Sequence, residues 1–534
     1  MKTEHSETKT IARSAGSVGT AVFASRILGL VREQVFAVFF GAGFAYDAFV
    51  VAYRIPNLLR ELFAEGALSS AFVTVFTDCK IKKGTAATQK LARNVATAVL
   101  LVVGLICAAG MFFSADIVAL ITTEDFSEIA GKLPLTTQMT TVMFPFLLLV
   151  SLSAVGMGIL NTLGIFFIPA LTSCFFNLGS IITGLLLSLV APRFGYAPIT
   201  GMACGVVFGG MLQILVQLPA LARQGFSYRP RLNLKDPDLV RIIKLMLPAV
   251  IGLAPFQITV LINTFFASSC AQGSLSWLNY AYRVLWFPIG LVGVSLSVAT
   301  LPVVSRHAAN ADLEKLKEAY VSSTVLSLLL SLPATLGLIF LAQPIIRVLF
   351  EYGSFTAEDT VKTAIALSLY AIGLFAFSAQ KIIVPVFYAL NKTRYPVIGA
   401  VIAVFINLVI VCATIETLQF KAIALAVSLC ITANYLFLSL MLYRIVGGFA
   451  AGYIVTCFLK VLPLSVLTGA GAWWVGGYIE TYLGDGAFAR LGALAAAVVF
   501  GIIIYAILVN FIRVKEVTTL RTKLLSCFRT TKAA

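Results

Sequence analysis

The sequence predicts an all-α polytopic membrane protein of about 14 transmembrane helices, built as two parallel-repeat lobes of six helices plus two extra C-terminal helices. Three observations carry that prediction. Of 534 residues, 60% are hydrophobic and 12% charged, and the mean hydropathy is +0.97, outside the usual range of soluble domains. Long apolar runs separated by short polar connections recur from residue 16 to 512, each able to cross a hydrocarbon core of about 30 Å as a helix. Short motifs also return at an offset of 229 to 230 residues.

The runs fall at 16–40, 48–77, 92–113, 135–158, 166–190, 197–221, 243–267, 276–304, 320–342, 361–390, 396–414, 421–443, 450–478 and 488–512. No ten-residue alternating strands appear, so helices rather than a barrel satisfy the backbone in lipid. An even number of spans puts both termini on one side. Lys and Arg cluster at the two termini and at the even-numbered connections and their margins, whereas the odd-numbered connections and their margins hold only Lys132, Arg193, Arg347, Lys362, Lys421 and Arg490. By the positive-inside rule the termini are cytoplasmic. The net charge of +16 therefore follows from topology and does not point to nucleic acid. The polar segment to Arg13, followed by an apolar run interrupted by arginines, argues against a cleavable signal peptide.

Span 1 carries Arg26, Arg32 and Glu33, with Ser25 and Gly29 on a neighbouring face that permits close approach of a helix or ligand. Charges at membrane depth cost roughly 2.5–3.5 kcal/mol each, so they face a polar cavity or partners inside a bundle. Span 2 adds Arg54, Arg60, Glu61 and Glu65 around Pro56-Asn57, with Asp47 at its outer end. Proline removes a backbone donor and crowds the preceding turn, which predicts a hinge near residues 55–58, with Gly29 as a second flexible point. The connection between spans 3 and 4 is acidic, through Asp116, Glu124, Asp125 and Glu128. Gly201, Gly205 and Gly209 in span 6 form a small-residue packing stripe. The basic connection from Arg223 to Lys244 divides the first six spans from the next six, giving lobes at 1–222 and 223–445, with 446–534 holding spans 13 and 14 and a basic cytoplasmic tail.

The repeat supports that division. Ala52-Tyr53-Arg54-Ile55 returns as Ala281-Tyr282-Arg283-Val284, Leu160-Asn161 as Leu390-Asn391, and Phe175-Phe176-Asn177-Leu178 as Phe405-Ile406-Asn407-Leu408. Six spans is an even number, so the repeats are parallel, and substrate sites in such folds lie between lobes near the midplane. Arg283, the equivalent of Arg54, is the second lobe's counterpart to the arginines of the first. In the last two spans Trp473-Trp474 reads as an interfacial anchor. Lys381 and Lys460 carry no legible role.

Other chemistries find little support. His5 and His307 have no partner at metal-ligand spacing, so no metal site is expected, and no catalytic motif stands in a credible setting. Nine cysteines are scattered, and Cys270 alone falls in an external connection, which leaves no external disulfide pair. A membrane enzyme using Asp47, Glu61 and Glu65 as acids or bases is the reading from another class.

Ser25-Arg26-Ile27-Leu28-Gly29, Asp47-Ala48-Phe49, Ile55-Pro56-Asn57-Leu58-Leu59-Arg60 and Phe63-Ala64-Glu65-Gly66-Ala67 together resemble the MurJ (MviN) family of lipid II flippases, within the superfamily of multidrug, oligosaccharidyl-lipid and polysaccharide exporters. The resemblance covers nearly the whole chain. It implies two lobes forming a V, a hydrophobic groove made by spans 13 and 14, and essential cavity residues at Arg26, Arg32, Asp47, Arg60, Glu65 and Arg283, with Glu33 where many members have aspartate. It also implies a bacterial inner-membrane flippase for an undecaprenyl-diphosphate-linked disaccharide-pentapeptide, acting among membrane lipids and cell wall synthesis proteins in peptidoglycan biosynthesis. Arginine suits the diphosphate because it pairs bidentately with phosphate oxygens and stays ionised when partly desolvated. Arg26, Arg32 and Arg283 are thus expected to hold it while the acids orient those arginines. No cofactor is expected. Members of the resembled family that have a sodium site look to use a span 7 carboxylate, but no acid occurs here between Asp238 and Asp312, so no sodium site is expected. Separately, the charge of an anionic headgroup makes membrane potential the candidate driving force. An exporter of drugs or of another lipid-linked glycan on the same fold is the competing transporter.

Overall fold

A computed structural model describes residues 2–484 and 486–519, apart from the side chains of 2–17, Ala64 and Glu65. Glu65, His5, Cys527 and the basic tail beyond Thr519 therefore lie outside the described residues.

The longer helices are α1 (Lys2–Phe40), α2 (Phe44–Leu59), α3 (Ser69–Phe112), α4 (Lys132–Thr162), α5 (Phe167–Val190), α6 (Ile199–Leu215), α7 (Pro237–Ser268), α8 (Ser274–Pro288), α9 (Ser295–Ala309), α10 (Leu313–Phe340), α11 (Ala342–Phe350), α12 (Ala357–Ala371), α13 (Leu374–Ala389), α14 (Arg394–Leu418), α15 (Phe420–Ile445), α16 (Ala451–Leu483) and α17 (Ala487–Leu508). Among the described residues 11 helices are long and apolar enough to cross a membrane, or 12 if α12 and α13, bent by 41°, form one span. One of the 11 is the 69-residue run Phe44–Phe112, about 100 Å at 1.5 Å per residue. That is too long for one pass. It reverses at Gly84 (φ 76°, ψ −177°), a left-handed backbone that suits glycine. Phe72, Val75 and Phe76 before the turn share one core with Leu91, Val95 and Val99 after it.

The chain forms two compact units, Met1–Ser276 and Trp277–Ala534. The lobes drawn from the repeat end at residue 222, whereas packing carries the first unit through α7. Leu239 and Ile242 of α7 enter the core of α3, Lys83 binds Asp238 at 2.6 Å and Arg241 binds Asp78 at 2.8 Å. The basic connection is a strap rather than a loose linker. Arg93 Nε donates to the Ser227 carbonyl at 3.0 Å, and the Asn94 side chain exchanges hydrogen bonds with the Asn233 backbone at 2.9 and 2.7 Å. Within the same unit the glycine stripe of α6 packs on α5. A Cβ at Gly205 or Gly209 would lie 2.6 Å from the carbonyl oxygens of Ser180 and Phe176, so only glycine allows this approach.

In the second unit α16 joins the core of α10 and α13 through Cys457 and Val461, and the Tyr505 hydroxyl of α17 donates to the Leu329 carbonyl at 2.6 Å. The two helices beyond the sequence repeat are thus integral to this unit.

Proline does not break α2. The helix continues through Pro56, and the irregularity begins four residues later as a π-helix, Arg60–Leu68. The carbonyl of Ala52 loses its donor at Pro56, yet the turn is retained and the wider i→i+5 winding follows downstream. In the second unit α8 ends at Pro288 and a π-helix, Ile289–Val294, follows. Ile289 lies 229 residues after Arg60, as Arg283 lies 229 after Arg54. The repeat therefore extends to an unusual backbone state.

Candidate functional site

In α1, Glu33 turns inward and Arg32 stays at its shoulder. Glu33 is 3% exposed and accepts from the Tyr46 hydroxyl at 2.6 Å and from Arg32 Nη2 at 3.0 Å. Tyr46 is itself fixed by Phe36, with ring centroids 5.0 Å apart. The Arg32 guanidinium also lies over the Phe176 ring at 5.4 Å, while its buried Nε has no acceptor. Glu33 and Phe176 thus hold a guanidinium that keeps one donor unused. Arg26, less than two turns away, is exposed and makes no ion pair among the described residues. Ser25 and Gly29 meet Asn177: its Nδ2 donates to the Ser25 carbonyl at 3.2 Å and stands 3.7 Å from a Cβ built on Gly29. The close-packed face is present, but α1 runs unbroken through Gly29, so no hinge forms there.

Asp47 departs most from expectation. It is 1% exposed and orients no arginine. Its oxygens accept from Lys132 Nζ at 3.2 Å, Gly273 N at 2.8 Å, and Ser276 N and Oγ at 3.0 and 2.6 Å. A carboxylate at the first turn of α8 is favoured by the unpaired amides and dipole of a helix N-terminus. Lys132, only 2% exposed, completes the neutralisation.

At the π-helix, Asn57 joins the other charges. Its Nδ2 donates to Glu61 Oε1 at 3.0 Å, Arg60 Nε donates to Asn57 Oδ1 at 3.1 Å, and Arg60 Nη2 reaches Glu61 at 3.4 Å. From α7, Gln257 Nε2 donates to the other Glu61 oxygen at 2.7 Å. Asn57 is therefore a bridging ligand of Arg60 and Glu61 in continuous helix, not a hinge. One turn from Gln257, Leu253 packs on Gly66, where a Cβ would lie 2.5 Å from Leu253 Cδ1 and 2.7 Å from the Glu61 carbonyl oxygen. Gly66→Ala is expected to shift or straighten this segment and lower the thermal midpoint of the purified protein. An unchanged midpoint would show that the segment yields without cost.

Arg54 is half-buried in α2, and in the second unit Arg283 is exposed on α8, between the buried residues Ala281 and Leu285. Three residues on, Trp286 meets Tyr282 edge-on at 5.9 Å and has Lys381 Nζ 5.9 Å from its ring. Lys381 thus sets a cation against the Trp286 ring. Tyr46 and Gln257 were not picked out from the sequence, where Lys132 counted only toward topology and Lys381 carried no role. Among the described residues no group of three or more His, Cys, Asp or Glu side chains could hold a metal ion.

These features define a multi-pass helical membrane protein on a duplicated helical unit, in which Arg32 and Arg60 are paired with Glu33 and Glu61. Residues 36–492 match the family model described as lipid II flippase MurJ. A relative from Buchnera aphidicola, named "Probable lipid II flippase MurJ", is 36% identical over 432 residues, covering 80% of this chain and 83% of that protein. The solved structure titled "Lipid II flippase MurJ, inward closed conformation" aligns with TM-score 0.73 at 27% identity, covering 92% of this chain and 98% of the other. An inward-facing multidrug resistance MATE transporter of the MOP superfamily shares the fold, with TM-score 0.66 at 13% identity over 79% of this chain and 94% of its own. The chain belongs to the MurJ lipid II flippase family.

Proposed function

We propose that this protein carries lipid II, the undecaprenyl-diphosphate-linked disaccharide-pentapeptide, from the cytoplasmic to the outer leaflet of a bacterial inner membrane by alternating access, with both termini cytoplasmic. The observation that carries this reading is the guanidinium set of a MurJ-family chain: Arg26 exposed on α1, and Arg32 held by Glu33 and Phe176. A diphosphate oxygen that reaches an exposed guanidinium such as that of Arg26 makes a charge-assisted bond worth about 1.5–3 kcal/mol. Arg54, Arg60 and Arg283 extend the set, and Glu33 and Glu61 orient their neighbouring arginines. Cargo is released chemically unchanged, as transport rather than catalysis requires. Cell wall synthesis proteins are the partners such a cargo implies.

Expression in a bacterium depleted of its own lipid II flippase is expected to restore growth, and Arg283→Ala, made at wild-type level, is expected not to. Full rescue by that variant would remove Arg283 from the binding set. The driving force follows from charge. Moving one elementary charge through 100 mV is worth about 2.3 kcal/mol, so an interior-negative potential favours outward movement of an anionic headgroup and return of an empty cationic site. Collapsing the potential is expected to slow transport severalfold, and an unchanged rate would exclude it as the energy source.

A further inference from the structure

A cavity of about 220 Å³ opens in the second unit between α11 and the facing ends of α16 and α17. Leu341, Pro344 and Trp473 give it apolar walls, and Arg347, Glu480 and Arg490 bring charge. Arg347 Nη1 donates to Glu480 Oε1. Behind the lining, Glu351 Oε1 accepts from Arg347 Nε and Arg490 Nη1, each at 3.3 Å, and its other oxygen accepts from the Thr360 hydroxyl at 2.7 Å. Two guanidinium groups and two carboxylates make a neutral cluster with its charges separated. One carboxylate lies behind both arginines, and the other stands on the wall.

Depth is given by the neighbouring aromatics. Trp473 and Trp474 are 56% and 65% exposed, and Trp474, Tyr478 and Tyr482 follow one another along α16 with ring centroids 5.7 and 4.8 Å apart. Such bands sit at headgroup level. The volume is below that of a drug-sized pocket and suits a headgroup rather than a disaccharide.

We propose that this cavity is a headgroup site for a zwitterionic phospholipid with a primary ammonium, its phosphate taken by Arg347 and Arg490 and its ammonium by Glu480. On the orientation proposed above, that lipid belongs to the outer leaflet. The charge pattern selects the class. An anionic headgroup leaves Glu480 facing negative charge, and a quaternary ammonium has no N–H to donate to it. Charge-assisted bonds to phosphate use the fork geometry of arginine, and the acyl chains lie along the exposed apolar face of α16 and α17, where Leu467 and Ile502 are exposed.

Native mass spectrometry of the full chain, after equilibration with equal amounts of phosphatidylethanolamine, phosphatidylglycerol and phosphatidylcholine, tests the site. Phosphatidylethanolamine is expected to be retained preferentially, and soluble phosphoethanolamine to be retained at least roughly tenfold less because it has no chains to bury. Gly477→Leu adds a side chain to the lining at a position where a built Cβ meets no heavy atom within 4 Å; with an unchanged thermal midpoint, retention is expected to fall roughly tenfold. Glu480→Gln is expected to erase the preference for ethanolamine over glycerol while phospholipid still binds. Equal retention of the three lipids, equal retention of the soluble headgroup, or undiminished retention by Gly477→Leu would overturn the proposal.

Discussion

Asp47→Ala is expected to lower the stability of the folded protein by about 3–5 kcal/mol, the usual cost of breaking a buried ion pair from one side. The variant strands the Lys132 ammonium, only 2% exposed, and removes the acceptor of three donors from Gly273 and Ser276. The opposite truncation is milder. Lys132→Met leaves the carboxylate with those three donors, and the methionine still packs on Phe126, over whose ring the ammonium stands at 4.5 Å. Unfolding of Asp47→Ala, Lys132→Met and the double variant in detergent measures the coupling. The double variant is expected to be more stable than Asp47→Ala alone. Strictly additive losses would mean that the two charges do not interact.

Arg26→Ala is expected to do the reverse, sparing stability and removing transport. Its side chain is exposed and makes no ion pair among the described residues, so truncation strands no partner. If it holds a phosphate oxygen, the loss of about 1.5–3 kcal/mol corresponds to a roughly ten- to hundredfold fall in rate. Arg26→Lys keeps the charge without the bidentate fork and is expected to fall between alanine and wild type. A thermal midpoint several degrees lower in Arg26→Ala would assign this arginine to packing instead.

The contrast between these two residues shows what local sequence can and cannot carry. Hydropathy and charge placed Arg26, Arg32 and Arg60 within helical spans and Asp47 at the outer end of one, because the energetic demand on a charge at membrane depth is local. The repeat was equally legible: the offset relating Arg54 to Arg283 also relates the two π-helices. What remained hidden was pairing across long sequence separation. Lys132 lies 85 residues from Asp47 and Gln257 lies 196 from Glu61, and no periodicity within either helix announces such partners. Pro56 gave a true signal of backbone stress, but the lost hydrogen bond was absorbed in place and the altered winding appeared four residues downstream, where Gly66 admits the Glu61 carbonyl. The lobe boundary followed the repeat, whereas packing followed contacts of α7 that single-sequence reading does not contain.

The most direct test of a flippase working through cationic spans is leaflet exchange by the purified protein. A labelled lipid-linked disaccharide-pentapeptide would be placed in one leaflet of liposomes holding wild type or Arg26→Ala, under an imposed potential, and its accessibility in the other leaflet followed. Rapid exchange by wild type, slowed at least roughly tenfold by Arg26→Ala, with the lipid recovered chemically unchanged, is the predicted result. No exchange by folded wild type, or exchange indifferent to Arg26, would contradict it.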